Sequence, residues 1–268
     1  MVKVIASDMD GTFLNDQGTF DEEQFQKQLD QLGEKGMHFI SASSNQYQHL
    51  LGLFKNVHGP ISYVCNNGAL VIDERGVIVH EEIIDHLILK KALDWILSTP
   101  SFAGAEVILV GRNGTYCNLP EDSDRFQASK YFYEDMQSMA DLRLVFDSIY
   151  KLDITWEEGG VLKRQDEFNH KFSGQLNAIS SGMNGLDVMV DGTDKLTGIQ
   201  MLLQSWNLRL DDVAAFGDNG NDFEMVNAAG EGYAMKNSAA DLLQKVEKVT
   251  EESNNDQGVQ HKIDEYLG

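Results

Sequence analysis

Asp8 and Asp10 stand two residues apart in Asp8-Met9-Asp10-Gly11-Thr12. In an extended chain that spacing points both carboxylates to one side. Gly11 permits the sharp turn that brings a backbone close to a ligand. One such carboxylate can attack phosphorus and carry the phosphoryl group as an acyl phosphate. Its neighbour can give a proton to the leaving oxygen and then take one from water. A second acidic motif, Gly217-Asp218-Asn219-Gly220-Asn221-Asp222, sets Asp218 and Asp222 four apart. This suits a loop entering a helix with both carboxylates facing a hard cation. Ser43-Ser44 offers a hydroxyl and backbone amides ahead of a helix, a kind of site that takes anions. Lys195 could neutralise phosphate and carboxylates alike, although taken alone it reads as an exposed surface charge. So many clustered carboxylates would repel one another, which implies a bound Mg2+.

The elements around these residues have a clear rhythm. Val2–Ala6 reads as a buried strand that delivers Asp8. Thr19-Phe20-Asp21-Glu22 has capping-box spacing, Phe25, Leu29 and Leu32 repeat at helical intervals, and Gly36 closes the helix. His38–Ala42 is a second strand ending at Ser43, a helix follows over 46–54, and Ile61–Cys65 is a third strand. Strand, helix, strand, helix, strand predicts a parallel sheet with right-handed crossovers. After a hairpin over 69–80 the rhythm changes. Residues 83–188 read as a separate α+β block, with a helix over 87–97, a hairpin over 106–118 and strands Ile149–Thr155 and Leu186–Val190. The βα pattern then returns: helix 197–206, strand Val213–Phe216, helix 222–228, strand Gly232–Ala234, and helices 238–246 and 259–267. The fold class is therefore α/β, a doubly wound parallel sheet with an inserted α+β domain. Its core is 1–82 with 189–268. Ligands of such sheets gather at the carboxyl ends of the strands, where both acidic motifs and the serines fall.

Composition narrows the function. The 268 residues carry 21 Lys+Arg against 43 Asp+Glu, a net charge of −22. Such a chain repels nucleic acid and anionic lipid, and no basic patch offsets this. No stretch approaches the roughly 18 apolar residues of a membrane span, and the N-terminus does not read as a signal peptide, so a cytoplasmic protein is expected. Cys65 and Cys117 read as reduced thiols. The seven histidines lack zinc-ligand spacing. Arg112, Tyr116 and Lys163 could meet a ligand but read first as surface or packing, and the turn 181–185 could line a pocket. The oligomeric state stays open.

The chain resembles the haloacid dehalogenase-like phosphatase superfamily, and within it the Cof-type sugar-phosphate phosphatases with a C2-type cap. Asp8-x-Asp10-Gly11-Thr12 matches the first motif, Ser43 the second, Lys195 the third and Gly217-Asp218-x-x-Asn221-Asp222 the fourth. Asn66-Asn67-Gly68-Ala69 and Ala234-Met235-Lys236-Asn237 match two further stretches. The stretches 12–16 and 42–47 are similar to those of sugar phosphatases in this group. The resemblance implies a Rossmann-like core with residues 83–188 as a cap that closes over the leaving group and sets specificity. It implies Asp8 as nucleophile and Asp10 as acid and base. Mg2+ would be held by Asp8, the Asp10 carbonyl and Asp218, with Asp222 as ligand or support. Ser43, the Ser44 amide, Lys195 and Asn221 would hold the phosphoryl oxygens of a small phosphorylated metabolite. A phosphomutase, a nucleotide phosphatase and a non-enzymatic sugar-phosphate sensor are the alternatives. The chain departs from the family pattern in three places. Ser44 replaces a glycine and Asn45 an arginine of the usual second motif, although a sugar-phosphatase variant reads S-G-N. Leu196 follows Lys195 where many relatives have glycine.

Overall fold

The computed structural model describes every residue except Glu134 and Met183, so the turn 181–185 lies partly outside the described residues. The chain divides into two compact units, Met1–His80 with Asp194–Gly268, and Glu81–Thr193.

The first unit begins with β1 (Val4–Ser7), α1 (Glu22–Glu34), β2 (His38–Ala42), α2 (Tyr47–Leu53), β3 (Ile61–Cys65), β4 (Leu70–Ile72) and β5 (Ile78–Glu81). Every residue of β1 and β3 is buried, as expected of a sheet covered on both faces. On one face Phe13, Phe25, Phe39 and Phe54 pack together, with Phe13–Phe25 centroids 4.8 Å apart and Phe25–Phe39 4.9 Å. Edge-on and tilted rings of this kind add to the area they bury.

The second unit holds α3 (His86–Ser98), β6 (Glu106–Gly111), β7 (Thr115–Cys117), α4 (Asp124–Ser129), β8 (Met136–Ser138), β9 (Ile149–Thr155), α5 (Val161–Lys171), β10 (Leu176–Gly182) and β11 (Gly185–Val190). Its sheet runs β10-β11-β9-β6-β7-β8, and only the β7–β8 pair is parallel among the pairs described. Alternate residues Val107, Leu109, Leu152, Ile154, Leu186 and Val188 form a core with Leu89, Leu93 and Phe168. The opposite side carries Ile108, Val110 and Phe126, and a buried Lys151–Asp187 ion pair at 3.0 Å. Arg112 bonds Glu81, and the Tyr116 hydroxyl donates to Asp147 at 3.1 Å, so both are engaged inside this unit.

The chain returns to the first unit with α6 (Lys195–Trp206), β12 (Val213–Gly217), α7 (Phe223–Ala228), β13 (Glu231–Ala234), α8 (Ala240–Leu243), β14 (Lys248–Val249) and α9 (Gly258–Leu267). The sheet order is β14-β13-β12-β1-β2-β3-β4-β5. The pairs from β14 to β3 are parallel and β3–β4 is antiparallel. The strand order therefore reverses direction at β1, which lies between β2 on one side and β12 on the other. Ser7 is level with both Ser41 and Phe216, so the loops after all three strands open at one edge. Val4, Ala6, Ile40, Val64, Ile199, Leu202 and Val213 share a core on the α6 side.

Local readings differ in three places. The cap of α1 is Asp21, whose carboxylate accepts from Gln24 N–H, and not Thr19. Thr19 instead donates its hydroxyl to Asn15 Oδ1, closing a tight loop that leaves it outside the helix. The expected helix over 238–246 is only Ala240–Leu243. Ser238 is spent on the Gly217 carbonyl and Ala239 N–H on the Asp218 carbonyl, which pins the preceding segment to the end of β12. The α+β block set at 83–188 corresponds in the structure to a unit over 81–193. Cys65 and Cys117 are both buried and unpaired. Among the described residues no helix is long and apolar enough to cross a membrane.

Candidate active site

Asp8 follows the last residue of β1, and its N–H donates to the Phe216 carbonyl of β12 at 3.0 Å. The next residues, Met9–Phe13, make one irregular helical turn, interrupted by extended Asp10 and by Gly11 at φ 76°. A Cβ at Gly11 would lie 2.7 Å from Asp218 Oδ2, so sterics and backbone both call for glycine there. Thr12 donates its hydroxyl to Asp218 Oδ1 at 2.9 Å, joining the first acidic motif to the last.

Lys195 is 1% exposed and not a surface charge. It is the first residue of α6, whose cap is Asp194 with a reciprocal Thr197 bond. Its ammonium donates to Asp8 Oδ1 and Asp222 Oδ1, both at 2.6 Å. Gly68, at φ 101°, makes this entry possible, because a Cβ there would meet the Asp194 carbonyl at 2.1 Å. Asp222 is fully buried. Its Oδ2 accepts from the N–H groups of Asp218 and Asn219, both at 3.0 Å, so it ties the loop to the lysine.

Asp8, Asp218 and Asp222 bring carboxylate oxygens within 4.8 Å of one another. Burial pushes the Asp8 carboxyl well above its ordinary range; Lys195 opposes this, and Asp222 and Asp218 add to it. Burial, and then Asp222, push Asp218 up to about 6. Burial pulls the Lys195 ammonium down, but Asp222 and Asp8 more than offset it and hold the charge. Three carboxylates set against one ammonium leave a net negative, all-oxygen donor set. That set fits a hard divalent cation. The Asp10 side chain lies outside this trio, is exposed, and accepts from Asn45 Nδ2 at 2.7 Å.

Ser43 is buried at the end of β2, and its Oγ accepts from Asn45 N–H at 3.1 Å. Ser44 is not among the described residues with positive φ, so a serine fits where the family pattern has glycine. Asn221 donates to Asn67 Oδ1 at 3.1 Å. Asn66 and Asn67 both adopt left-handed backbone, at φ 49° and 53°, a conformation asparagine tolerates better than most residues. Thr12, Asn45, Asn67 and Asn237 stand in the sequence motifs, but only their contacts show what each does. Asn237 donates to the Gly11 carbonyl at 2.7 Å. Two of these carried a usable signal: consecutive asparagines between a strand and Gly68, and an asparagine where the family pattern has arginine.

The family of haloacid dehalogenase-like hydrolases matches residues 5–263, and the chain belongs to it. It is an enzyme of that hydrolase class, and its full-length relatives are named phosphatases. One, the 5-amino-6-(5-phospho-D-ribitylamino)uracil phosphatase YbjI of Escherichia coli, is 28% identical over 99% of this chain and 96% of its own length. Phosphatase YwpJ of Bacillus subtilis is 25% identical over 99% of this chain and all of its own length. The crystal structure of SMU.1108c from Streptococcus mutans superimposes with a TM-score of 0.93 at 30% identity, covering all of this chain and 99% of that one.

Proposed function

We propose that this protein is an Mg2+-dependent phosphatase of small phosphate monoesters, sugar phosphates and phosphorylated sugar alcohols foremost. The observation that carries this reading is the set of buried Asp8, Asp222 and Lys195 with half-buried Asp218, gathered after β1 and β12 and at the start of α6, beside Asp10. The phosphorylated ribityl chain in the name of the Escherichia coli relative supports the substrate class. Asp8 and Asp218 would hold Mg2+, together with the Asp10 carbonyl. Asp222, with both oxygens engaged by Lys195 and the loop, would support them. The bound cation supplies charge neutralisation that lets an anionic ester approach a carboxylate.

The residues then divide the work. The Asp8 carboxylate bonds to phosphorus as the ester P–O bond breaks. The electron pair of that bond goes to the ester oxygen, which takes the proton held on Asp10. Water next attacks phosphorus and gives a proton to Asp10. Phosphate leaves and Asp8 is restored as a carboxylate. The Ser43 hydroxyl, the Ser44 amide, Asn221 and Lys195 hold the phosphoryl oxygens, so catalysis is mostly positioning and charge stabilisation. The unit over 81–193 is assigned the choice of leaving group.

The test is phosphate release from hexose, pentose, tetrose and polyol phosphates, nucleotides and an aryl phosphate, with Mg2+ and with chelator. Release from sugar or polyol esters that stops on chelation is expected. Release only from nucleotides would reassign the substrate class. Transfer to a second sugar without free phosphate would make it a mutase. No release from any ester would favour the sensor.

A stability measurement checks the cation site without turnover. Asp218 is raised from an ordinary 3.8 to about 6, and Asp8 is raised as well. The ion-free folded state therefore binds more protons than the unfolded chain in that window. Its stability is highest below the unfolded value and falls as pH rises through about 6. A divalent cation needs both carboxylates ionised, so its stabilisation runs the other way. The gain in Tm from Mg2+ should be small near pH 5 and several-fold larger near pH 7.5. A gain that is equal at both pH values, or absent, would exclude Asp8 and Asp218 as the ligands.

A further inference from the structure

Asn45 sits where the usual second motif has an arginine, and the structure gives it a different task. Its side chain is 7% exposed, so the carboxamide is held in place. The amide Nδ2 donates to Asp10 Oδ2 at 2.7 Å. Its backbone is fixed on both sides: the N–H donates to Ser43 Oγ at 3.1 Å, and the carbonyl accepts from Asn66 N–H at 2.9 Å. Asn67 N–H in turn donates to the Ser43 carbonyl at 3.0 Å, and Asn67 Oδ1 accepts from Asn221. The loops after β2, β3 and β12 are thus bonded to one another, and Asn45 ties the loop after β2 to the loop after β1.

A carboxylic acid has one proton and two oxygens. Of the two, the oxygen without the proton is the better acceptor for an amide N–H. With Oδ2 accepting from Asn45, Oδ1 is the oxygen left to carry the transferable proton of Asp10. We propose that Asn45 is a positioning residue which fixes the Asp10 carboxyl and directs its single proton, on Oδ1, to the leaving oxygen. This rests on the proposed phosphatase reading and on Asp10 as its acid. An arginine at residue 45 would place a full positive charge on the same carboxyl, whereas a neutral amide orients it without adding charge.

The consequence depends on the leaving group. An alkoxide leaving from a sugar phosphate needs its proton as the P–O bond breaks. A 4-nitrophenolate leaves as an anion and needs none. Asn45→Leu keeps the shape of the side chain and deletes the donor; Asn45→Ala deletes both. In each, kcat/KM on a sugar or polyol phosphate, which reports the step that expels the leaving group, should fall about 10- to 100-fold, a part of the 10²–10⁴ that a placed acid contributes. The kcat/KM on 4-nitrophenyl phosphate should fall less than about threefold, because that leaving group needs no acid in the same step. The later attack of water uses Asp10 as base whichever ester was bound, so kcat is not the readout.

Equal losses of kcat/KM on the two esters would show that the change damages the phosphate site generally, and the inference would be wrong. No loss on either would also overturn it. Loss of the cooperative melting transition in both variants would make Asn45 a structural residue only. Wild-type protein that hydrolyses neither ester would instead sink the phosphatase reading, a result distinct from the others.

Discussion

Asp8→Asn should abolish turnover, by on the order of 10⁴-fold or more, while the protein stays folded. The amide has the shape of the carboxylate but no charge with which to attack phosphorus. The effect on stability separates this site from an ordinary buried ion pair. In most pairs, removing one charge strands the other. Here Asp8 is one of three carboxylates facing a single ammonium, and burial already pushes its carboxyl well above the usual range. Lys195 keeps Asp222 as a partner in the variant. The ion-free variant should therefore melt at or above the wild-type temperature at neutral pH, and should gain less from Mg2+. Acid-quenched wild-type protein should carry phosphate after mixing with substrate, and the variant none. Turnover within about tenfold of wild type would remove Asp8 as the nucleophile.

The sequence showed these carboxylates but not the full set of contacts that holds them, and the reason is physical. Buried parallel strands read as short apolar runs. Val4–Ser7, His38–Ala42, Ile61–Cys65 and Val213–Gly217 were visible to within two residues for that reason. Their ends carry the acidic motifs, so Asp8 and Asp218 fell at the right edge of the sheet. The bonds that fix the site were not visible, because they join residues far apart in sequence. Thr12 reaches Asp218 across 206 residues, and Lys195 reaches Asp8 across 187. A local pattern that shows Lys195 at a helix start cannot show that the helix drives it inward against Gly68. The asparagines were hidden for another reason: their ordinary role is the turn, and only the contacts of Asn45, Asn67 and Asn237 show that they brace the site. In the second unit, three-residue β8 is too short for any periodicity. The shortened α8 has the composition of a helix but surrenders its first turn to bonds with β12.

Lys195→Met should produce the largest loss of stability of any single change at the site. The substitution keeps the length and bulk of the stem and removes only the charge. Asp8 and Asp222 then face each other and Asp218 with no ammonium between them. Removing one partner of a buried pair costs about 3–5 kcal/mol, which should appear as a lower denaturant midpoint with little change in slope. The pH dependence follows from the same charges. In the wild type the lysine is raised above its usual value, so its contribution is complete at neutral pH and is lost only when pH passes that raised value. In the variant Asp8 loses the group that pulled its carboxyl down, so its value rises further. Stability is then retained at low pH, where the carboxyls are protonated, and is lost as pH rises through that higher value. The gap between variant and wild type should therefore be small near pH 5 and widest above neutrality. Mg2+ should narrow it by returning positive charge to the carboxylates. It should not restore the rate, because the ammonium is also needed on the phosphoryl oxygens. We expect a loss of about 10²- to 10³-fold or more, the usual scale for deleting one such group. A variant that unfolds like wild type at every pH would mean that the ammonium does not hold this cluster together.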